Sequence, residues 1–461
     1  MTNTDAQINQ GVNCYESGDF SRAIENYNQA LRLHPDNFLA YYNRANARRN
    51  LGDFNGALED YNQAISLNPK HAPAYYNRGN VRNNLGAHKG AIEDYTKVLL
   101  LQSDSADAYY NRGLAHNNLN QYRKAIEDYT QAIRINPDYA KAYNNRGLAY
   151  THLKNYKAAI ENYHQAVRIN PNLAEAYYNR GLSREHLQDY RGATEDYTKA
   201  LLLNPNLIES YINRGNLSAY SGNYTKAIED YNKALSINPD SILAYYNRGN
   251  AHSDLADYTA ATEDYDQVIL LNPQYIGAYN KRGNIHYKLG QYQEAIKDYN
   301  QVLLLNPHQL VTYHNRANAF WELGEYTKAI EDYNKALTLN PNSAKIYNNR
   351  GNAYEELGEY KKAIEDYNKA LTLNPNYTPV YYNRANARYK LENYRGAIED
   401  YNQALRLNPY DAEAYNNRAY TYIKLENKEA AKKDFAKAAT LLKKQGNLKI
   451  YQEVIKKLQS M

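Results

Sequence analysis

The sequence has one cysteine, one tryptophan, two methionines and five phenylalanines among 461 residues. A lone Cys14 excludes a disulfide framework and any multi-cysteine metal site. No apolar run approaches the ~18 residues of a membrane span, so no transmembrane segment is expected. The opening residues, Met1 to Gln10, are polar and lack the apolar centre of a signal peptide. These absences point to a cytoplasmic chain. Charge of one sign is also scarce over most of the length. The net charge is +5, but Lys424 to Met461 alone carries ten lysines against four acidic residues, so the remainder is close to neutral. A neutral body lacks the basic stripe of a nucleic-acid groove, and no nucleic-acid partner is expected.

What the chain does have is tyrosine, 52 residues of it, and a strict period. Pro35 and Pro69 stand 34 residues apart; Pro137, Pro171, Pro205, Pro239, Pro273, Pro307, Pro341, Pro375 and Pro409 keep the step, and Ser103 fills one gap. Alanine recurs from Ala23 to Ala431, and tyrosine from Tyr27 to Tyr401 with Phe435 last. Thirteen 34-residue units fill residues 4–445 as one domain, and residues 446–461 remain as a tail. In the unit from Ala344 to Tyr377, the residues Tyr347, Gly351 and Tyr354 lie on one helical face, and Leu357-Gly358-Glu359 breaks the helix. Ala363, Ile364, Tyr367, Ala370 and Leu371 mark a second helix, which Asn374-Pro375 ends. Each unit is a pair of antiparallel helices, unable to bury its apolar face without a neighbour.

The pattern Tyr347, Gly351, Tyr354, Ala363, Tyr367, Ala370, Pro375 resembles the tetratricopeptide repeat signature, and its period is that family's. The Tyr-Tyr-Asn-Arg-Gly style looks most like bacterial, particularly cyanobacterial, members. The resemblance implies an all-α, right-handed α-solenoid superhelix of thirteen helix–turn–helix units. The tail's Leu448, Tyr451, Val454, Ile455 and Leu458 form one apolar stripe, which adds a C-terminal capping helix with Lys449, Lys456 and Lys457 outward.

One row departs from the family. Arginine precedes the small residue of the first helix, from Arg44 through Arg316 and Arg350 to Arg418. A buried charge needs a partner. Aspartate recurs on the second helix, as at Asp332 and Asp366, and the antiparallel register makes Arg316–Asp332 and Arg350–Asp366 structural pairs. The fifth unit sets Arg146 against Asn162, and the first replaces both members with Gln10 and Asn26.

The family resemblance places the first helices on the concave side. There an asparagine row runs through Asn77, Asn111, Asn145, Asn179, Asn213, Asn247, Asn315, Asn349 and Asn383, broken by Lys281. Asparagine both donates and accepts, so it suits a peptide backbone of any sequence. Tyr76, Tyr110, Tyr178 and Tyr246 lie beside it, and Trp321 is a candidate anchor. The alternative use of the asparagines is to tie neighbouring helices together. Tyr42, Tyr76 and Asn111 stand where chaperone-binding members carry the basic residues of a carboxylate clamp, which disfavours that ligand.

The expected function is therefore a non-enzymatic scaffold or adaptor holding extended peptide segments of other proteins in the groove. A second reading docks folded partners on the convex face, where Leu100, Leu202, Leu270 and Leu304 replace polar residues of other units. A homo-oligomer is compatible with the pattern but not indicated by it. No catalytic residue, cofactor or metal is expected. Carboxylate pairs such as Glu331-Asp332 recur in most units, whereas a catalytic site would be unique, and no phosphate loop or nucleophile motif is present. His152 and His186, one period apart beside Glu185, read as groove polarity before they read as metal ligands.

Overall fold

The computed structural model describes residues 3–461, which form 27 α-helices, numbered α1 to α27 in chain order, and no strands. The chain divides into two compact units, residues 1–239 with α1 (Asn3–Glu16) to α14 (Tyr224–Ile237), and residues 240–461 with α15 (Ile242–Asp254) to α27 (Leu448–Gln459). In each unit every helix packs on the one before and the one after it, and the first helices of most successive hairpins also meet one another. Each unit is thus an all-α solenoid stack in which the first helices share one side.

The eleventh hairpin shows why the sequence folds this way. Its helices are α21 (Ala344–Glu356) and α22 (Tyr360–Leu373). Gly358 turns between them at φ +72°, and the Glu359 amide donates to the Tyr354 carbonyl at 2.8 Å. Glycine is not obligatory at this turn. Asn120, Lys154, Gln188, Ala256, Glu392 and Glu426 adopt the same left-handed conformation, which costs a residue with a Cβ about 1 kcal/mol. Inside the hairpin, Gly351 admits the Tyr367 ring so closely that an added Cβ would lie 2.6 Å from Tyr367 Cε1. Tyr367 and its counterparts, from Tyr27 to Tyr401, are the largest fully buried side chains. Ala363, Tyr367, Ala370 and Leu371 pack with Val380 and Ala387 of the next hairpin into one apolar cluster. Burial of that kind, repeated between neighbours, holds such a stack together.

At the C-terminal end, α25 (Ala412–Lys424) and α26 (Lys428–Lys444) form the last hairpin, and α27 lies against α26. Val454 is buried, and Ile450, Tyr451, Ile455 and Leu458 pack beside it. Leu448 is not part of this seam. It directly follows the Asn447 cap and stays 61% exposed. Lys449 and Lys456 are exposed, while Lys457 is half-buried.

Candidate protein-binding groove

The arginine row does not face the groove. Arg350 Nε lies 2.7 Å from Asp366 Oδ2 and Nη2 lies 2.6 Å from Oδ1, a bidentate pair inside one hairpin. Arg316 holds Asp332 at 2.7 Å through each of the same two nitrogens. The third nitrogen reaches back one repeat: Nη1 of Arg350 donates to Asn334 Oδ1, and that of Arg316 to Asn300 Oδ1, both at 2.5 Å. The guanidinium carbon of Arg350 sits 5.4 Å from the Tyr347 ring centre. Arg316 and Arg350 therefore each join their own hairpin and staple it to the preceding one. Burial works against the charge of Arg350, but its bonds to Asp366 outweigh that and hold it protonated. The backward bond was missed in the sequence, although Asn300, Asn334, Asn368 and Asn402 recur at its register.

The asparagine row is half-buried and partly spent on the stack itself. Asn77 Nδ2 donates to Asn46 Oδ1 at 2.9 Å and to the Tyr42 hydroxyl at 3.2 Å, both one repeat back. Tyr61 adds its hydroxyl to the same Asn46 oxygen at 2.7 Å. Asn111 donates to Tyr76 at 2.8 Å and Asn145 to Tyr110 at 2.9 Å. Asn179 reaches Asn144 Oδ1 at 3.3 Å, and Asn213 is half-buried at the same register in α13 (Ile208–Tyr220). Asn247 and Tyr246 occupy the same register in α15, where the Tyr246 ring lies 6.0 Å from that of Tyr265. Further along, Asn315 donates to Asn284 at 3.1 Å, Asn349 contacts His314 Nε2 at 3.2 Å, and Asn383 donates to Asn352 at 3.0 Å. Most of these bonds link neighbouring hairpins. The amide oxygens of Asn77, Asn111 and Asn383 make no hydrogen bond among the described residues and remain as acceptors.

Open clefts lie along the same side. In residues 240–461, one of about 470 Å³ is lined by Asp254, Lys281, Asn284, Tyr287, Lys288 and Asn315 among others. A second, of about 230 Å³, is lined by Asn318, Trp321, Glu322, Asn349 and Asn352 together with Tyr287 and Tyr333. A third, of about 310 Å³, has Glu355, Asn386, Lys390 and Asn417 with Tyr389 and Tyr420. In residues 1–239, a cleft of about 420 Å³ is lined by Arg49, Asn80, Asn83, Asn84 and Asn111. The structure thus brings Asn111, Asn315, Asn349 and Trp321 to cleft walls. Tyr76, Tyr110, Tyr178 and Tyr246 line none of these clefts. They pack about 6 Å from the core tyrosine of their own hairpin.

The cleft chemistry is mixed. Lys281 replaces the rung asparagine, so the first of these clefts is lined by two lysines, Lys281 and Lys288, together with Asp254. Trp321 packs edge-on against Tyr326, and its buried indole Nε1 has no hydrogen-bond partner among the described residues. Burial, reinforced by Glu322, pushes the Tyr287 hydroxyl up to about 12. Burial also raises Glu355, which accepts a hydrogen bond from Tyr367 at 2.8 Å. Tyr287, Tyr389 and Tyr420 are wall residues that sequence reasoning missed. They share helix faces with the positions it named, but tyrosine is too common in this chain to single them out. His152 and His186 stack on separate tyrosines, Tyr122 and Tyr156, at 4.5 and 4.4 Å. Among the described residues no three His, Cys, Asp or Glu side chains are grouped to hold a metal ion.

Stacked helix hairpins with a polar groove on the first-helix side define a helical-repeat interaction protein. Models described as tetratricopeptide repeat match residues 38–71, 106–139, 140–173, 174–207, 242–275, 277–309, 344–377 and 379–411, and also 60–93 and 400–433. A model described as TPR repeat matches 11–52, 79–120, 215–255 and 317–358. The chain belongs to the tetratricopeptide repeat family, whose members mediate protein–protein interactions. No curated protein matches it. Among solved structures, it is similar to MamA at 30% identity over 35% of this chain and 94% of that one, with a TM-score of 0.34. It is 27% identical to YrrB, described as a TPR protein with an unusual peptide-binding site, over 41% of this chain and 96% of that one, with a TM-score of 0.36. The C-terminal part of a TPR repeat-containing protein from Cytophaga hutchinsonii is 24% identical over 49% and 93%, with a TM-score of 0.45. Among the described residues no helix is long and apolar enough to cross a membrane.

Proposed function

We propose that this chain is a non-enzymatic scaffold that holds extended segments of partner proteins along its first-helix groove. The observation that carries this is the run of open clefts at Lys281, Trp321 and Lys390, walled by amide, tyrosine and charged side chains. An extended segment presents a backbone acceptor and donor at each residue, which amides satisfy, and side chains at regular intervals, which separate clefts receive. Trp321 gives one anchoring wall and Lys281 with Lys288 favours an acidic side chain nearby.

Peptides selected on the full-length chain from a random display library test it. Trp321→Ala and the double variant Lys281→Glu, Lys288→Glu should each weaken the selected peptides by about tenfold or more, the loss expected of a contact at the centre of an interface. Leu270→Ser with Leu304→Ser should leave them unchanged. The reverse outcome supports a second reading, docking of folded partners on the outer face. That reading rests on Leu100, Leu202, Leu270 and Leu304, each more than 70% exposed on a second helix.

A further inference from the structure

The last hairpin leaves its repeat differently from the others. An Asn-Pro pair ends the second helix of most repeats, as Asn408-Pro409 does after α24 (Tyr394–Leu407). Leu442-Lys443 stands at that register, so α26 runs for 17 residues where α24 has 14. Gly446, at φ +75°, then stops it, and the Asn447 amide closes the end on the Leu442 carbonyl at 3.0 Å.

The extra turn and α27 together wall an open cleft of about 510 Å³. Ala436, Ala439 and Thr440 form one wall and Tyr451, Ile455 and Leu458 the other, with Lys443 and Lys444 also lining it. Tyr451, Ile455 and Leu458 are the fourth, eighth and eleventh residues of α27. The fourth, eighth and eleventh residues of α25 are Tyr415, Ala419 and Tyr422, which pack into the Phe435 cluster with α26, the helix that follows them. The cleft is thus on the face that a first helix gives to its own second helix. Among the described residues no helix covers it.

We propose that the α26–α27 cleft docks an amphipathic helix of a partner protein, its apolar ridge on Ile455 and Leu458 and its acidic side chains on Lys443 and Lys444. The seat is a helix seat by its register, and its charge sets the partner's sign. Lys424 to Met461 carries ten lysines against four acids, and one of those acids, Asp434, is already bound by Arg418 at 2.6 Å. A helix laid in an apolar groove is read through residues spaced i, i+3, i+4 and i+7, which the wall residues of α27 can match.

The test uses the full chain and a fluorescent amphipathic peptide of about 18 residues with a leucine ridge and glutamate flanks, a length that covers such a groove. Companions carry lysine flanks, or the same glutamates and leucines in scrambled order. Anisotropy should show the acidic amphipathic peptide binding at least about tenfold more tightly than either companion, and losing affinity with salt. Lys443→Glu with Lys444→Glu should reverse the preference between acidic and basic peptides. Both lysines are exposed, so that variant keeps the fold. Ile455→Glu should abolish binding, and Trp321→Ala should not change it. Equal binding of the scrambled peptide, or unchanged binding in the double lysine variant, overturns the proposal. So does self-association in sedimentation velocity that the double variant abolishes, which would give the cleft to a second copy. Lysine-dependent binding to anionic vesicles or DNA, with no peptide preference, likewise overturns it.

Discussion

The fifth and eleventh hairpins solve one packing problem with different charges. Each pairs a first helix of 13 residues with a second of 14. In the eleventh, Asp366 grips Arg350 through two oxygens. In the fifth, Asn162 offers one oxygen to Arg146 Nε at 2.7 Å and donates its own amide to the Ala158 carbonyl at 2.8 Å. Both arginines sit 5.4 Å from a tyrosine ring and reach back to the preceding repeat. Burial lowers the pKa of Arg146, with no carboxylate bonded to it, whereas Arg350 is raised once its bonds to Asp366 are added. The hairpin geometry therefore comes from apolar packing, and the carboxylate decides how well the buried cation is compensated.

Removing the arginines should break the comparison most sharply. Arg350→Ala leaves Asp366 buried and charged, with a local cost of about 3 kcal/mol, whereas Arg146→Ala leaves a neutral amide and costs about 1 kcal/mol. Hydrogen exchange of the two hairpins measures this, and equal losses would refute a role for the carboxylate. Exchanging the acceptors comes next. Asp366→Asn should destabilise by about 2 kcal/mol, and Asn162→Asp should stabilise by about 1 kcal/mol in denaturant titrations, because a charged acceptor strengthens the bond. The rungs differ less. Asn383 has two acceptors in the eleventh hairpin, at 3.1 and 3.0 Å, while Asn179 has one in the fifth, at 3.3 Å. Asn383→Ala should therefore cost about 1 kcal/mol and Asn179→Ala about half of that in melting experiments.

The smallest effect is a pH dependence confined to the eleventh hairpin. Glu355 is raised from 4.5, chiefly by burial, while Thr151 holds the corresponding place in the fifth. A carboxyl whose folded pKa is raised binds its proton more readily in the native state. Its contribution to stability is complete below the unfolded value and lost as pH rises through the folded one. Glu355→Gln should melt progressively higher than the parent as pH increases across that window, and Thr151→Val should show no such trend.

Much of a single hairpin was legible in the sequence. Arg350 and Asp366 are 16 residues apart on opposite sides of one turn, so helix geometry alone brings them level. The turn itself was legible only where glycine marks it; Gln188 and Glu392 turn the same way without that signal. Of the groove, the sequence offered the asparagine register but not its engagement. Asn77 and Asn111 look identical as possible ligand contacts and as rungs, because a periodic sequence repeats the same pattern whichever neighbour the side chain meets.

The sequence by itself determined the 34-residue period, the two helices of each unit and their apolar faces, since these depend on spacing within a few turns of chain. Stacking decided the rest. It directed the third nitrogen of Arg350 to Asn334 and turned the hydroxyls of Tyr76 and Tyr110 into acceptors for the next repeat. It also left Trp321 and Lys281 on cleft walls and opened the seat between α26 and α27. Each of these depends on the distance between side chains of different hairpins, which packing sets and linear spacing does not encode.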